Sequence, residues 1–404
     1  MKFAHRVRAI IAGSMTNPPN PSLKAKYRAR PFRSFWERVT EGLELRQIWG
    51  QFKSEAKASY RLYSGDVDWD AIESKSRGIG RIWRSVWAVF QAMLMQLSPA
   101  RRLLLLAAIL LLVIHPSIRL SSGREFNVRF VGWGVAILFI LLAMELADRV
   151  TMKRDLQIAR EIQEWLVPKH PPLVAGMDIA FATRPQNTVA GDYYDAFLRT
   201  VPAHDSGRQP LLVVVADVAG KSVPAALLMA TFQASLHALT ATSATLDEIV
   251  IGLDRYCRAH SLDGRRFTTA FLAQIDIETH EMLYVNAGHN APILRRPSGE
   301  IERLSTGGPP FGIPIFTKIE ALYPSGRIQL QTGDLLFIFT DGVVEAVNEA
   351  EEEYSEARLL RCVQTAPPEN SDETVNRVME DVEAFVGPAR QYDDITSLVL
   401  RIET

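Results

Sequence analysis

Apolar and polar positions divide this chain into stretches with different periods. Leu103 to Ile114 reads LLLLAAILLLVI, with Arg101 and Arg102 before it and His115 and Pro116 after it. These twelve residues fall short of the about 20 that a helical bilayer span needs, so the span is reached only with the flank as far as Leu120. A second run, FVGWGVAILFILLAM from Phe130 to Met144, follows a short loop, and the pair predicts a transmembrane helical hairpin. Arg101, Arg102, Arg149, Lys153 and Arg154 lie outside its two ends, against Arg119 and Arg124 in the loop, which predicts that both termini are cytosolic. Glu145 to Val167 then runs on without glycine or proline. Met152, Leu156, Ala159 and Leu166 recur there at helical spacing with Gln163 in the seam, predicting a stiff helical connection of too few heptads for a long coiled coil. Pro168, Pro171 and Pro172 end it.

Beyond the prolines the period shortens. Strands are expected near 177–184, 192–198, 211–217, 268–277, 281–287, 291–296, 327–330, 334–340 and 395–402, and helices near 224–240, 246–260, 356–364 and 371–386. Hairpin-like strand runs with helices grouped between them predict an α+β domain. On the other side of the hairpin the pattern is weaker. Residues 1–31 are basic and punctuated by PPNP at Pro18 to Pro21, with too short an apolar run near Ile10 for a signal-peptide core. Residues 32–62 read as a polar helix carrying Phe35, Trp36, Trp49 and Phe52. The stretch Ile82 to Leu97, with Trp83, Trp87, Phe90 and Met93, reads either as a helix lying in the membrane interface or as an ordinary core helix.

Charge sharpens this division. Residues 1–102 carry a net charge of +11, residues 103–150 of +1 and residues 151–404 of −13 within an overall −1. A basic segment beside a bilayer is attracted to anionic lipid, and the acidic remainder argues against nucleic acid as a partner. The two cysteines, Cys257 and Cys362, stand far apart without a partner motif, which fits a reducing compartment and excludes a disulfide framework or a structural zinc site.

Candidate chemistry lies in the acidic part. The β-branched run LLVVVAD ends at Asp217, followed by a glycine turn and an alanine-rich helix in ADVAGKSVPAALLMA. A carboxylate at the end of a buried strand, with backbone carbonyls turned out beyond it, suits a hard divalent cation. Asp192 in VAGDYYDAF, Asp341 after LLFIFT and Asp393 in YDDITSLVL stand in similar surroundings. Singly, such aspartates more often cap turns and helices; four of them can make a metal site. AGKS at Ala219 to Ser222 lacks the earlier glycine of a phosphate-binding loop, where Val215 stands. NAGHNAP around His289 suits a turn better than an acid catalyst.

In order, IQEWLVPKHPP, GDYYD, DVAGKSVPAALLMA, FTTAFLAQIDIETHEMLYVNAGHNAP, GGPPFGI, GDLLFIFTDGVVEAVN and DDIT resemble the SpoIIE-type (RsbU-like) branch of the PPM, or PP2C-like, metal-dependent serine/threonine protein phosphatases, over roughly Leu156 to Ile402. The resemblance implies a PP2C-like β-sandwich flanked by helices. It implies two divalent cations, Mn2+ or Mg2+, with Asp217 bridging both, the Val218 carbonyl on one, Asp192 and Asp341 on one side and Asp393 on the other. Asp394 is the rival to Asp393, and Asp195 is a neighbour that holds Tyr193, Tyr194 or a water. Family members commonly carry glycine where Ser222 stands, and the family's arginine near the first motif has no secure counterpart, Arg184 being a candidate. The implied activity is hydrolysis of a phosphoserine or phosphothreonine protein by metal-activated water, with a phosphorylated anti-sigma-factor antagonist as the substrate by analogy. The alternative is a non-catalytic phosphoprotein-binding module or membrane scaffold with this fold. The expected plan is a basic, partly helical region over 1–100, a hairpin over 101–148, a helical linker over 149–170 and the phosphatase domain over 171–404. It places the protein as a multi-pass protein of the cytoplasmic membrane in contact with lipid, its catalytic domain in the cytoplasm and a homodimer through the linker helix open to it. The continuous linker further suggests that it controls the helix after Asp217.

Overall fold

The computed structural model describes residues 97–114, 130–199, 209–243, 245–261, 265–314, 322–366 and 370–403, three-residue strands at 117–119 and 125–127, and isolated positions from 91 to 95. The expected helices over 32–62 and most of Ile82 to Leu97 lie outside the described residues, as does the PPNP segment. The chain forms two compact units, Met1–Met144 and Glu145–Thr404.

In the first unit, α1 (Pro99–Val113) starts with proline in its first turn, where the missing N–H is not needed. A small antiparallel pair, β1 (Ser117–Arg119) and β2 (Glu125–Asn127), follows it. Helix α2 (Val131–Leu166) then runs for 36 residues, so the 148/149 boundary expected from sequence falls inside one helix. Helix α2 is long and apolar enough to cross a membrane, whereas the 15 residues of α1 rise only about 22 Å, short of an about 30 Å hydrocarbon core. The two helices touch at Gly134, where a Cβ would stand 2.9 Å from Leu112 Cγ and 3.0 Å from the Ala108 carbonyl. Close approach at a small residue is how helices pack where no hydrophobic effect drives them together. Around this contact Leu103, Leu110, Trp133 and Phe139 remain exposed.

The second unit is built on two sheets. One has the order β10 (Gly307–Gly308), β7 (Glu281–Ala287), β6 (Thr268–Ile275), β5 (Leu211–Val218), β4 (Tyr193–Leu198), with β11 (Gly326–Gln329) also paired to β7. The other has the order β3 (Met177–Arg184), β13 (Ile395–Ile402), β12 (Leu335–Phe339), β8 (Ile293–Arg295), β9 (Ile301–Arg303). Every named pairing is antiparallel except β10 with β7. Val213, Val215, Phe271 and Ala273 of the first sheet share a core with Leu336, Ile338, Leu398 and Leu400 of the second. Leu212, Val214 and Ala216 point the other way, onto Met229, Phe232 and Leu236 of α3 (Ser222–Thr242) and Ile249 and Leu253 of α4 (Leu246–Ala259). Strand β5 is therefore covered on both faces, which is why LLVVVA shows no alternation.

The second sheet is covered likewise. Phe337, Phe339 and Val399 pack against Leu359 and Val363 of α6 (Glu356–Gln364) and Val378 and Val382 of α7 (Ser371–Val386). The architecture is the expected α+β one, a PP2C-like sandwich flanked by helices. Helix α3 also has the length and hydropathy of a membrane span, but Met229, Phe232 and Leu236 bury it on the sheet, so it is a core helix. Local signals fix the helix starts: Thr245 and Glu248 form a reciprocal capping box on α4, and Asn370 accepts from the Glu373 N–H on α7.

Candidate metal centre

Register brings the motif aspartates together in pairs. Tyr193 stands opposite Ala216 in the β4–β5 ladder, so Asp192, one residue before, and Asp217, one residue after, face each other at one end of the first sheet. In the second sheet Phe339 stands opposite Ser397, so the chain leaving β12 through Thr340 and Asp341 passes the chain entering β13 through Asp393 and Asp394. Asp341 opens the short helix α5 (Asp341–Val344). Both ends meet in one acidic cluster. Burial first, and then the charges of Asp341, Asp393 and Asp394, push the Asp217 carboxyl up to about 7, against the pull of Lys221. Burial and then Asp217 hold Asp192 well above the usual carboxylate range, and burial followed by Asp393 raises Asp341.

Hydrogen bonds give the neighbouring carboxylates different settings. Asp192 accepts from the Thr340 hydroxyl at 2.9 Å, a bond that ties the two sheets together. Asp394 accepts from the Gln186 N–H at 2.6 Å and the Gly191 N–H at 2.7 Å, so its carboxylate fastens the loop ahead of β4. Asp393 instead meets the Lys221 ammonium at 2.9 Å. The Val218 carbonyl stands 3.2 Å from where a Gly191 Cβ would lie, beside Asp192. The donors are thus all oxygens, their mutual repulsion is offset by one lysine, and a cation already pairs with one of them. Among the described residues no three acidic, histidine or cysteine side chains stand close enough to hold a metal ion as they are placed; what bears on the kind of ion is that the donors are oxygens, with no cysteine or histidine among them. This donor set fits hard divalent cations.

The turn after Asp217 is held tightly. Gly220 has φ +124°, and the Arg266 guanidinium, which donates to the Ala219 carbonyl at 3.0 Å, occupies the place a Cβ would take. Ser222 follows at φ +65°, a left-handed conformation at the position where the family resemblance led one to expect glycine. Asp195 accepts from the Tyr193 hydroxyl at 2.7 Å and lies 3.0 Å from His237 Nε2; the tyrosine was anticipated, the histidine carried no signal in sequence. Burial holds His289 down at about 4, and its N–H bond to Asn286 at 2.7 Å belongs to the turn after β7. Arg184 lies 3.4 Å from Glu383 of α7. In sequence Lys221 belongs only to a stretch that fails as a phosphate-binding loop; its contact with Asp393 is not visible without the fold.

Residues 207–403 match the family model described as Stage II sporulation protein E (SpoIIE). The chain is 25% identical over 286 residues to Protein IcfG of Synechocystis, covering 64% of this chain and 43% of that protein. It is 25% identical over 252 residues to the phosphoserine phosphatase RsbU of Bacillus subtilis, covering 62% of this chain and 70% of that one. It therefore spans less than half the length of IcfG. The SiaA-PP2C domain of Pseudomonas aeruginosa has the same fold, with a TM-score of 0.54 at 20% identity over 64% of this chain and 99% of that domain. With the two-sheet sandwich, the ordered motifs and these relatives in agreement, the C-terminal part of this chain is a SpoIIE-family, PP2C-like phosphatase domain.

Proposed function

We propose that this protein is a membrane-tethered, metal-dependent serine/threonine phosphoprotein phosphatase of bacterial signalling, acting on a phosphorylated anti-sigma-factor antagonist. The observation that carries the reading is the meeting of Asp192 and Asp217 from one sheet with Asp341 and Asp393 from the other, in which burial and neighbouring carboxylates raise the proton affinity of Asp192, Asp217 and Asp341. Asp192, Asp217, Asp341, Asp393 and the Val218 carbonyl would hold two divalent cations, Mn2+ or Mg2+. When bound, such ions lower the pKa of a water and neutralise a phosphate. The chain's own residues supply position and charge: the β-ladders fix Asp217 and Asp192 face to face, Thr340 orients the Asp192 carboxylate, and Lys221 carries a positive charge at the mouth, where a phosphoryl oxygen can be met. No cysteine stands among these groups, so no thiol ester of phosphate is part of the reaction proposed.

The phosphoserine specificity comes from the name of RsbU, and the tether from α2 and the apolar surface around Gly134. We place the domain in the cytoplasm, at the inner face of the cytoplasmic membrane. The test is release of phosphate from a phosphoserine peptide by the full-length chain in detergent. Turnover is expected with Mn2+ or Mg2+, none with EDTA, and a loss of about a thousandfold or more in Asp217→Asn, which would remove a negative charge from the residues that hold the ions. A folded wild-type protein that binds Mn2+ yet releases no phosphate would replace the enzyme by a phosphoprotein-binding module.

A further inference from the structure

Helices α6 and α7, which cover the second sheet, are pinned together by arginine at two places. Arg358 of α6 grips the Asp381 carboxylate of α7 through bonds of 3.0 and 2.9 Å, and its guanidinium lies 5.2 Å from the Tyr354 ring centroid and 4.8 Å from that of Phe385. Arg377 of α7 donates to the Thr365 carbonyl at 3.0 Å and to its hydroxyl at 3.2 Å, just past the end of α6. Between the pins lies an open groove of about 640 Å³. Arg358, Arg361 and Thr365 follow one another at helical spacing, so α6 presents all three to it. Arg361, the middle one, is exposed, and among the described residues its guanidinium has no hydrogen-bond or ion-pair partner. Glu380 on the facing wall does not pair with it, and Asp381 is already neutralised by Arg358. Burial and then Asp381 push the Cys362 thiol up, so the groove gains no negative charge from it. Three guanidinia against two carboxylates leave the groove positive, on a stretch, residues 151–404, whose net charge is −13. An arginine in the last turn of a helix also offsets the helix dipole, but that role needs neither an open groove nor a second arginine across it.

We propose that this groove docks an acidic segment of the phosphoprotein substrate, with Arg361 taking a carboxylate of that segment. The proposal rests on the domain being a phosphoprotein phosphatase, and it names a second place where the domain holds its substrate. Helix α7 runs alongside β3: the Ser371 N–H donates to the Asp178 carboxylate at 2.7 Å near one end, and Glu383 meets Arg184 at 3.4 Å near the other. Arg184 stands opposite Ile395, the residue after Asp394. From Arg377 to Glu383 the helix rises about 9 Å, and one layer of packing adds about 10 Å, so the groove opens roughly 20 Å from the acidic cluster. An extended peptide covers that distance in about six residues. The two pinned arginines hold the walls apart before anything binds, so little ordering is left to binding. A carboxylate on Arg361 makes a charge-assisted hydrogen bond, which corresponds to about a tenfold gain in affinity. The rest of this acidic domain repels such a segment, so a preference for acid is specific to the groove.

The test gives the full-length protein, in detergent with Mn2+, phosphoserine peptides that carry a run of glutamates, or of glutamines, about six residues to one side or the other of the phosphoserine. For wild type, KM is expected to be about tenfold lower for the glutamate peptide on one of the two sides, with kcat unchanged. Arg361→Gln is expected to lose the preference and Arg361→Glu to favour glutamine. Arg327→Glu, which reverses a charge on β11 away from the groove, is expected to keep it. All four proteins are expected to hydrolyse p-nitrophenyl phosphate, too short to reach the groove, at the same rate. A wild type that does not distinguish the peptides, or an Arg361→Glu that still prefers glutamate, overturns the proposal. An equal loss in Arg327→Glu reduces the preference to net charge and overturns it as well. If Arg361→Glu does not fold, Arg361→Gln decides. Calorimetry without metal separates the occupants: inorganic phosphate that binds through Arg361 where the glutamate peptide does not makes the groove a free-anion site, against the proposal. A wild type that releases phosphate from no peptide and from no p-nitrophenyl phosphate contradicts the proposed function. Binding of the unphosphorylated glutamate peptide, retained in wild type and lost in Arg361→Glu, then judges the groove by itself.

Discussion

Asp217 shows how one residue can be costly to the fold and useful to the site. Its carboxyl, pushed up to about 7, holds a proton more tightly in the folded chain than in the unfolded one, where an aspartate titrates near about 3.9. Its stability contribution is therefore full below about 3.9 and is lost as pH rises through about 7. In EDTA, the thermal midpoint of wild type relative to Asp217→Asn is expected to fall between pH 5 and pH 8. A difference that stays level or grows over that window counts against the cluster. Using the variant as reference also removes His289, whose depressed proton affinity gives the opposite slope, with stability lost as pH falls from about 6.5 to about 4. Ser222 carries a separate cost. At φ +65° it is in the conformation glycine adopts freely, so Ser222→Gly is expected to raise stability by up to about 1 kcal/mol, read as a higher unfolding midpoint. Ser222 was legible as a departure from the resemblance, but its strain was not, because φ follows from how Arg266 and β6 hold the turn. The choice between Asp393 and Asp394 was likewise open in the DDIT motif; the positions of the Gln186 and Gly191 N–H groups and of the Lys221 ammonium separate their settings.

Elements were most legible where burial on both faces leaves a continuous apolar run, or where one covered face leaves a period. The expected strand at 211–217 is β5, Leu211–Val218, and the expected helix at 371–386 is α7, Ser371–Val386. Short elements gave no such signal. Strand β10 is two glycines, and Gly307 lies so close to Asn286 that a Cβ would stand 1.9 Å from its carbonyl oxygen, a contact dictated by a partner 21 residues away. Helix α5 is one turn, set by the end of β12 rather than by any period. Its Gly342 explains the Asp-Gly pair: a Cβ there would stand 1.9 Å from the Asp394 carbonyl oxygen. Gly342→Ala is expected to push the entry to β13 away from α5, with a loss of about 1–3 kcal/mol in stability and a larger proportional loss of Mn2+-dependent phosphate release. A variant with wild-type unfolding and activity would show that the two segments yield without consequence.

At the scale of the whole chain, a basic N-terminal region, an apolar surface built on α1 and α2, and an acidic phosphatase domain follow one another in sequence. Composition made this order legible, and the lack of glycine and proline from Glu145 to Val167 argued for a helix there, whereas Asp148 and Thr151 are residue types that also start helices, so the continuity of α2 across the expected 148/149 boundary needed the fold. The full-length chain is expected in carbonate-washed membranes, and residues 145–404 in the soluble fraction. The reverse for either would remove the tether. The continuous helix then gives a sharper test of whether the tether is passive. Inserting two alanines after Arg149 leaves the seam from Leu156 to Leu166 intact but turns everything before it by about 200°, whereas seven residues turn it by about 700°, close to two whole turns. If α2 transmits rotation to the catalytic domain, the two-residue insertion is expected to change the Mn2+ titration of phosphate release by the chain reconstituted into vesicles, and the seven-residue insertion to leave it near wild type. Length cannot account for that order, since the longer insertion has the smaller effect. Identical titrations for both insertions, wild type and the soluble unit would make α2 an anchor that the catalytic domain does not sense.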